Sequence, residues 1–239
     1  MEQRFYWNEE RIRFFSDAAE HGTFFPALAA LLSDRIRPGD HVLDAGCGLG
    51  YLSTELTKVC AQVTAVDLEP MAIDALKKRT RDLQTLRAVC ADVFRIPLPY
   101  DVIVCCRFGS TAETLELFDR SGARELVLIR RQSPNRRFDI SKEPHGRIAE
   151  ETEAVLREQG RPFEARDVTL NLDQPFRSPT DAERFFRIYR SDPETAQGER
   201  MLSTLEKTGD DAFPYRLPVS NAMRIFWIQK SNVRDCDRT

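Results

Sequence analysis

Between His41 and Ile129 the chain alternates short apolar runs with stretches of helical spacing. His41–Ala45, Gln62–Asp67, Leu86–Ala91, Asp101–Cys106 and Glu125–Ile129 read largely as Val, Ile, Leu and Ala. Runs this short, apolar on both faces, predict strands of a parallel sheet covered on both sides. Helices are predicted between them, from about Tyr51 to Cys60, from Met71 to about Leu83, and around Thr114 to Arg120. Such alternation implies a doubly wound α/β fold, and right-handed crossovers leave few topologies to consider.

The flanks follow other rhythms. The charged stretch from Glu2 to about Glu20 carries Phe5, Ile12, Phe15 and Ala19 at helical spacing, and a second helix is predicted from Phe25 to Ile36, before Pro38-Gly39. After the polar segment Arg130–Arg147 come a helix around Ile148–Gln159 and an alternating strand, Val168–Leu172, of the kind found near a sheet edge. Ser178 suits an N-cap and Pro179 the first position of a helix, and another helix is expected near Glu199–Lys207. Met223–Ile228 makes a last strand. The expected organisation is one domain over 1–239, with a mostly parallel seven-stranded sheet. A helical cap (1–37) precedes a Rossmann-like core (38–173 and 219–231), and a helical insertion (174–218) interrupts it before the last strand.

Composition narrows the class. The chain has 239 residues, 41% hydrophobic and 31% charged, as in an ordinary globular protein. A formal net charge of -3 argues against whole-surface attraction to nucleic acid or to an anionic membrane. Charges at Glu2, Arg4, Glu9 and Glu10 leave no apolar core for a signal peptide, and His21–Ser33 is too short to span a bilayer. Six cysteines without a CxxC pair point to reduced thiols in a cytoplasmic protein, with no structural metal site. Nothing in the pattern addresses oligomeric state.

The candidate chemistry lies where the first strand meets its helix, at Asp44-Ala45-Gly46-Cys47-Gly48-Leu49-Gly50-Tyr51. Open α/β sheets bind ligands at this join. Glycines at 46, 48 and 50 allow a tight turn and close approach of a ligand. Asp67 ends the second strand 21 positions after Gly46, suited to accept hydrogen bonds from ribose hydroxyls, and Asp92 follows the third strand. A dinucleotide fingerprint would place its third glycine at position 51, which is Tyr51 here. Asp44 suits an ammonium and a sulfonium and opposes a pyrophosphate.

Asp44–Gly50, Val63–Asp67, Ala91-Asp92-Val93 and Tyr100–Cys106 together resemble the successive cofactor motifs of class I S-adenosylmethionine-dependent methyltransferases, over roughly residues 38 to 131. The resemblance implies S-adenosylmethionine as cofactor. Gly46, Gly48 and Gly50, with Asp44 and Cys47, would meet its amino-acid end, Asp67 its ribose, and Leu68, Asp92 and Val93 its adenine. It also implies a final antiparallel strand inserted into the sheet, a part for Met223–Ile228. Where methylases of nucleic-acid or amide nitrogens often carry an acidic or amide residue followed by Pro-Pro and an aromatic, this chain has Cys105-Cys106-Arg107-Phe108-Gly109.

Further candidates are local. Cys106 is expected at the cofactor cavity, whereas Cys105, its strand neighbour, points to the opposite face and cannot share a metal with it. His145 is a candidate general base. Arg107, Tyr189, Tyr215 and Arg216 are candidate acceptor contacts. The basic run Arg130, Arg131, Arg136, Arg137, Lys142 and Arg147 reads as a solvated loop or as a site for an anionic group. The expected activity is in-line methyl transfer to an N, O or S nucleophile of a small molecule. A protein or RNA acceptor, a non-catalytic cofactor-binding protein and a nicotinamide enzyme are the alternatives.

Overall fold

The computed structural model describes residues 6–132, 148–189 and 202–230. Its core is a seven-stranded sheet in the order β3-β2-β1-β4-β5-β10-β6. The parallel strands are β1 (His41–Ala45), β2 (Gln62–Asp67), β3 (Leu86–Cys90), β4 (Val102–Cys106) and β5 (Glu125–Arg131). The last strand, β10 (Ser220–Gln229), runs antiparallel between β5 and the edge strand β6 (Phe163–Asn171). An inserted antiparallel strand is what the resemblance implied.

Alternate residues of each strand enter opposite cores, as a period of two requires. Val42, Val63, Val104, Ile129 and Ile225 pack on one face, with Leu28 and Leu32 of α2 (Phe24–Leu32) and Leu52 and Leu56 of α3 (Tyr51–Leu56). Leu43, Val66, Ile103, Leu128 and Phe226 pack on the other. There they meet Leu117 and Phe118 of α5 (Thr111–Arg120) and Leu156 of α6 (Ile148–Glu158). The remaining core helix, α4 (Pro70–Arg79), lays Ile73 and Leu76 against Ala65.

Several boundaries differ from the sequence pattern for identifiable reasons. Helix α3 stops at Leu56, because Lys58 and Val59 donate to carbonyls only three residues back and tighten the chain into turns. Helix α5 starts at Thr111, three residues before the expected Thr114, because Ser110 and Glu113 close a reciprocal capping box. Strand β6 begins at Phe163 although residues 164–167 are exposed and three of them are charged, since β10 supplies their backbone partners.

The cap and the insertion form one further layer. Helix α1 (Glu9–His21) is capped by Asn8, whose side chain accepts from the Arg11 amide. Helix α7 (Pro179–Ile188) is capped by Ser178 in the same manner, as its Ser-Pro start suggested. The insertion is not wholly helical, however: β7 (Gln174–Phe176), β8 (Glu206–Lys207) and β9 (Tyr215–Leu217) form a three-stranded antiparallel sheet. Glu206–Lys207 therefore does not extend the helix expected near Glu199–Lys207. Two exposed residues have no apolar period to read, and pairing with β9 decides their conformation. Phe14 of α1 is buried among Phe176, Phe185, Phe186 and Leu217 of the insertion, and Arg13–Asp181 (2.7 Å) and Arg177–Asp17 (2.6 Å) fasten the contact. No helix among the described residues is long and apolar enough to cross a membrane.

Candidate functional site

The glycine turn follows β1 at its C-terminal end. Gly46, Gly48 and Gly50 take φ of 71°, 53° and 69°, the left-handed region that favours glycine. Gly46 has a second constraint, since a Cβ there would lie 2.1 Å from the Phe108 ring. At Gly48 the nearest atom to such a Cβ is in the Trp7 ring at 3.5 Å, an ordinary van der Waals contact, so there the backbone angle and not crowding favours glycine. Tyr51, standing where a dinucleotide turn would have glycine, stacks on Phe25 with centroids 5.6 Å apart and donates its hydroxyl to Glu20. It ties the turn to the cap.

Two cavities meet at this turn, sharing Trp7, Gly46, Gly48 and Arg107. The first, about 320 Å³, is lined by Asp67, Leu68, Asp92 and Val93, all four expected at the adenosine end of a cofactor. The second, about 370 Å³, holds Asp44, Cys47, Gly50 and Cys106 from the expected cofactor set, together with Tyr189. The aromatic side chains Phe15, Phe24, Phe25 and Tyr51 complete much of its wall.

The acids of the site are already oriented. Asp67 accepts from the Gly48 amide at 2.8 Å and from the Glu69 amide at 2.9 Å, one bond on each oxygen. A carboxylate has about four acceptor positions, so capacity for a ribose diol is left. Asp92 accepts from the Phe94 amide and caps a short 3-10 turn, Val93–Arg95. Asp44 is buried and accepts the Ser53 hydroxyl at 2.5 Å. Burial pushes its carboxyl up to about 6, opposed by the Ser53 bond and helped by the nearby Asp67 charge. A cationic group in the second cavity would relieve that penalty.

The loop after β4 forms the opposite wall. Arg107 adopts φ 56°, a left-handed conformation that costs a non-glycine residue about 1 kcal/mol or more. Its guanidinium donates to the Asn221 side chain at 2.7 Å and lines both cavities. The surface it exposes opens on those cavities, and crowding by protein and then by Arg131 lowers its pKa to about 10. Beneath the loop, buried Arg130 donates to the carbonyls of Phe108 and Gly109 and to the Thr114 hydroxyl, fixing the backbone. Cys105 and Cys106 face different cores, and burial raises both thiols, to about 12 and about 11.

Other expectations fall elsewhere. Tyr215 packs in the insertion's own core, and Arg216 is held by Glu206 (2.8 Å) and Asp173 (3.3 Å) beside a separate cavity at His21 and Asp210. The structure does not bring these two candidate acceptor contacts to the glycine turn, because β9 turns them toward β7 and β8. His145, Arg136, Arg137, Lys142 and Arg147 lie outside the described residues. Sequence reasoning overlooked Trp7, Phe15, Phe24, Phe25 and Leu172 as site residues, all of which line the second cavity, and it read Arg131, which also lines it, only as one member of the basic run with an anionic group as an alternative. A signal for the aromatic ones existed: seven of the chain's 22 aromatic residues fall within its first 25 positions.

Comparison with known proteins agrees with this geometry. Residues 42–121 match a family described as "Methyltransferase domain". The chain is 31% identical over 109 residues to the mitochondrial ubiquinone biosynthesis O-methyltransferase of Schizosaccharomyces pombe, covering 43% of this chain and 38% of that one. It is 28% identical over 107 residues to ribosomal RNA small subunit methyltransferase A of Dehalococcoides mccartyi, covering 41% and 37%. The chain thus spans well under half the length of these two relatives. Among solved structures, magnesium protoporphyrin IX methyltransferase of Synechocystis with bound S-adenosylhomocysteine has the same fold, with TM-score 0.53, 15% identity and coverage of 95% and 89%. With its four motifs gathered around one glycine turn and its antiparallel strand inserted beside β5, the chain matches a methyltransferase domain over residues 42–121 and resembles the class I S-adenosylmethionine-dependent methyltransferases in its Rossmann-like fold.

Proposed function

We propose that this chain methylates a small molecule by in-line transfer to an N, O or S nucleophile, with cap, core and insertion acting as one catalytic unit over 1–239. One observation carries the reading. The cavity of about 320 Å³ that presents Asp67 and Asp92 abuts a second of about 370 Å³ walled by aromatic side chains of the cap. A cofactor in the first would extend past Gly46 and Gly48 to an acceptor in the second. A space of that size, walled by the cap and by Tyr189 of the insertion, suits a small molecule.

S-adenosylmethionine supplies an activated methyl group when bound. The residues of this chain orient and exclude water. Asp67 holds the ribose hydroxyls, Leu68 and Val93 flank the adenine, and Asp92 faces its edge. The Gly46–Gly50 backbone leaves room for the amino-acid end, with Asp44 beneath as counter-charge to its ammonium. Trp7, Phe24 and Tyr189 bound the acceptor space, and Arg107 stands where the two cavities join. In the transfer the acceptor's lone pair forms the bond to carbon, the carbon–sulfur pair passes to sulfur, and any proton on the nucleophile leaves to solvent.

The test uses methyl-labelled S-adenosylmethionine with the purified chain and three acceptor fractions: dialysable metabolites, total RNA and protein. Label should appear in the dialysable fraction, with S-adenosylhomocysteine formed in step. Label confined to RNA or protein would overturn the small-molecule acceptor. Binding without turnover on any fraction would leave a cofactor-binding protein.

A further inference from the structure

Two cationic side chains face the acceptor cavity with no counter-charge of their own. Arg107 follows β4 and Arg131 ends β5, adjacent strands of the sheet, and both line the cavity of about 370 Å³. Among the described residues neither forms an ion pair; the Arg107 guanidinium is steered by the neutral Asn221 carbonyl and the Met223 sulfur. At several other arginines that join elements a carboxylate is the partner, as at Arg13, Arg35, Arg124, Arg161, Arg177 and Arg224, whereas Arg130 is met by carbonyls and a hydroxyl. Among the described residues the only carboxylate lining this cavity is Asp44, which is buried on the glycine-turn side with Ser53.

The two like charges also act on each other, since Arg131 disfavours the charged form of Arg107. Two guanidiniums side by side on one aromatic-walled cavity repel each other, an anion between them would relieve that repulsion, and the guanidinium fork is well matched to carboxylate and phosphate oxygens. Resting on the methyltransferase reading, we propose that the acceptor is an aromatic or extended apolar molecule carrying a carboxylate or phosphate, with Arg107 and Arg131 binding that anion. The anion is a handle and not the nucleophile. A lone pair clamped by two guanidiniums would be a poor attacker, so the reacting atom lies on another part of the molecule, nearer the Gly46–Gly48 junction.

Calorimetric titration of the full chain, saturated with S-adenosylhomocysteine, tests this with 2-naphthoate, 2-naphthyl phosphate and the neutral 2-naphthamide. At least one anion should bind about tenfold or more tighter than the amide. Which anion wins tells a carboxylate acceptor from a phosphorylated one. Arg107→Gln and Arg131→Gln should each bring the preference down to about threefold or less, whereas Arg131→Lys, which keeps the charge, should retain part of it. Unchanged melting temperatures would show that the variants are folded. Equal affinity for all three probes, or no binding by any, would overturn the proposal, as would an anion preference that survives in both glutamine variants. If Arg131→Gln instead weakened S-adenosylhomocysteine tenfold and left the probes alone, the pair would serve the cofactor and the proposal would fall. Failure of S-adenosylhomocysteine to bind the unaltered chain would strike the methyltransferase reading itself, and naphthoate against naphthamide would still be compared without it.

Discussion

Asp44 and Asp67 stand at the ends of neighbouring strands, yet their environments give them different duties. Asp67 is partly exposed and already accepts two backbone amides, one of them from Gly48 in the turn. Asp67→Ala is therefore expected to weaken S-adenosylhomocysteine binding by roughly ten- to a hundredfold, or about 1.5–3 kcal/mol. It should also loosen the free protein, which hydrogen exchange at Gly48 would register. Unchanged affinity by calorimetry would remove Asp67 from the ribose site. Asp44 has its folded pKa raised from 3.8 to about 6 by burial. Between those values the folded state holds more protons than the unfolded one, so stability without ligand falls as pH rises from about 4 to 6. The change is on the order of 3 kcal/mol. A bound cation favours the ionised form, so cofactor affinity should hold above about pH 6 and weaken as pH drops below it. Asp44→Asn should flatten both profiles. Identical pH curves for the variant and the parent would show that another group titrates.

At the scale of elements, α1 and the insertion pack on each other beside the second cavity. Phe14 lies in the insertion's core, and Asp181, at the start of α7, accepts from Arg13 of α1 and from the Arg177 amide. Asp181 is nearly buried, at 9% exposure, so its loss strands partners that water reaches poorly. Asp181→Ala should destabilise the cap–insertion contact by about 1–3 kcal/mol. The expected signature is faster hydrogen exchange in α1 and α7 with unchanged protection in β1, β4 and β5. Cofactor should also dissociate faster. Protection lost evenly across the sheet would mean that cap and core unfold as one unit and that no separate lid exists.

For the whole molecule, ligand selectivity is the decisive property. Tyr51 stacks on Phe25 and bonds Glu20, so the start of α3 is covered by the cap, where a pyrophosphate would need it open. S-adenosylhomocysteine at a hundred times its Kd should add about 2.7 kcal/mol of stability, raising Tm by roughly 5–10 °C for a chain of this size. NAD at the same concentration should leave Tm unchanged. Equal shifts in a thermal scan would contradict the assignment of the turn.

The sequence by itself determined the sheet and the glycine turn, because both rest on local rules. Runs such as Val102–Cys106 are apolar on both faces wherever they sit, and Gly46, Gly48 and Gly50 are required by backbone angles that few other residues take. The N-caps at Asn8 and Ser178 belong to the same class, although Asn8 drew no notice in the sequence. What only the tertiary structure decided is who meets across long separations. Tyr215 and Arg216 looked as eligible for the acceptor as Tyr189 does, until β9 paired with β7 and β8, packing Tyr215 into the insertion's core and setting Arg216 beside another cavity. Trp7, Phe24 and Phe25 gave an aromatic signal, but only the packing of the cap against Tyr51 made it a wall of the site. Arg131 read as one charge in a basic run; its place beside Arg107 follows from the β4–β5 register, and a contact between strands has no local period to announce it.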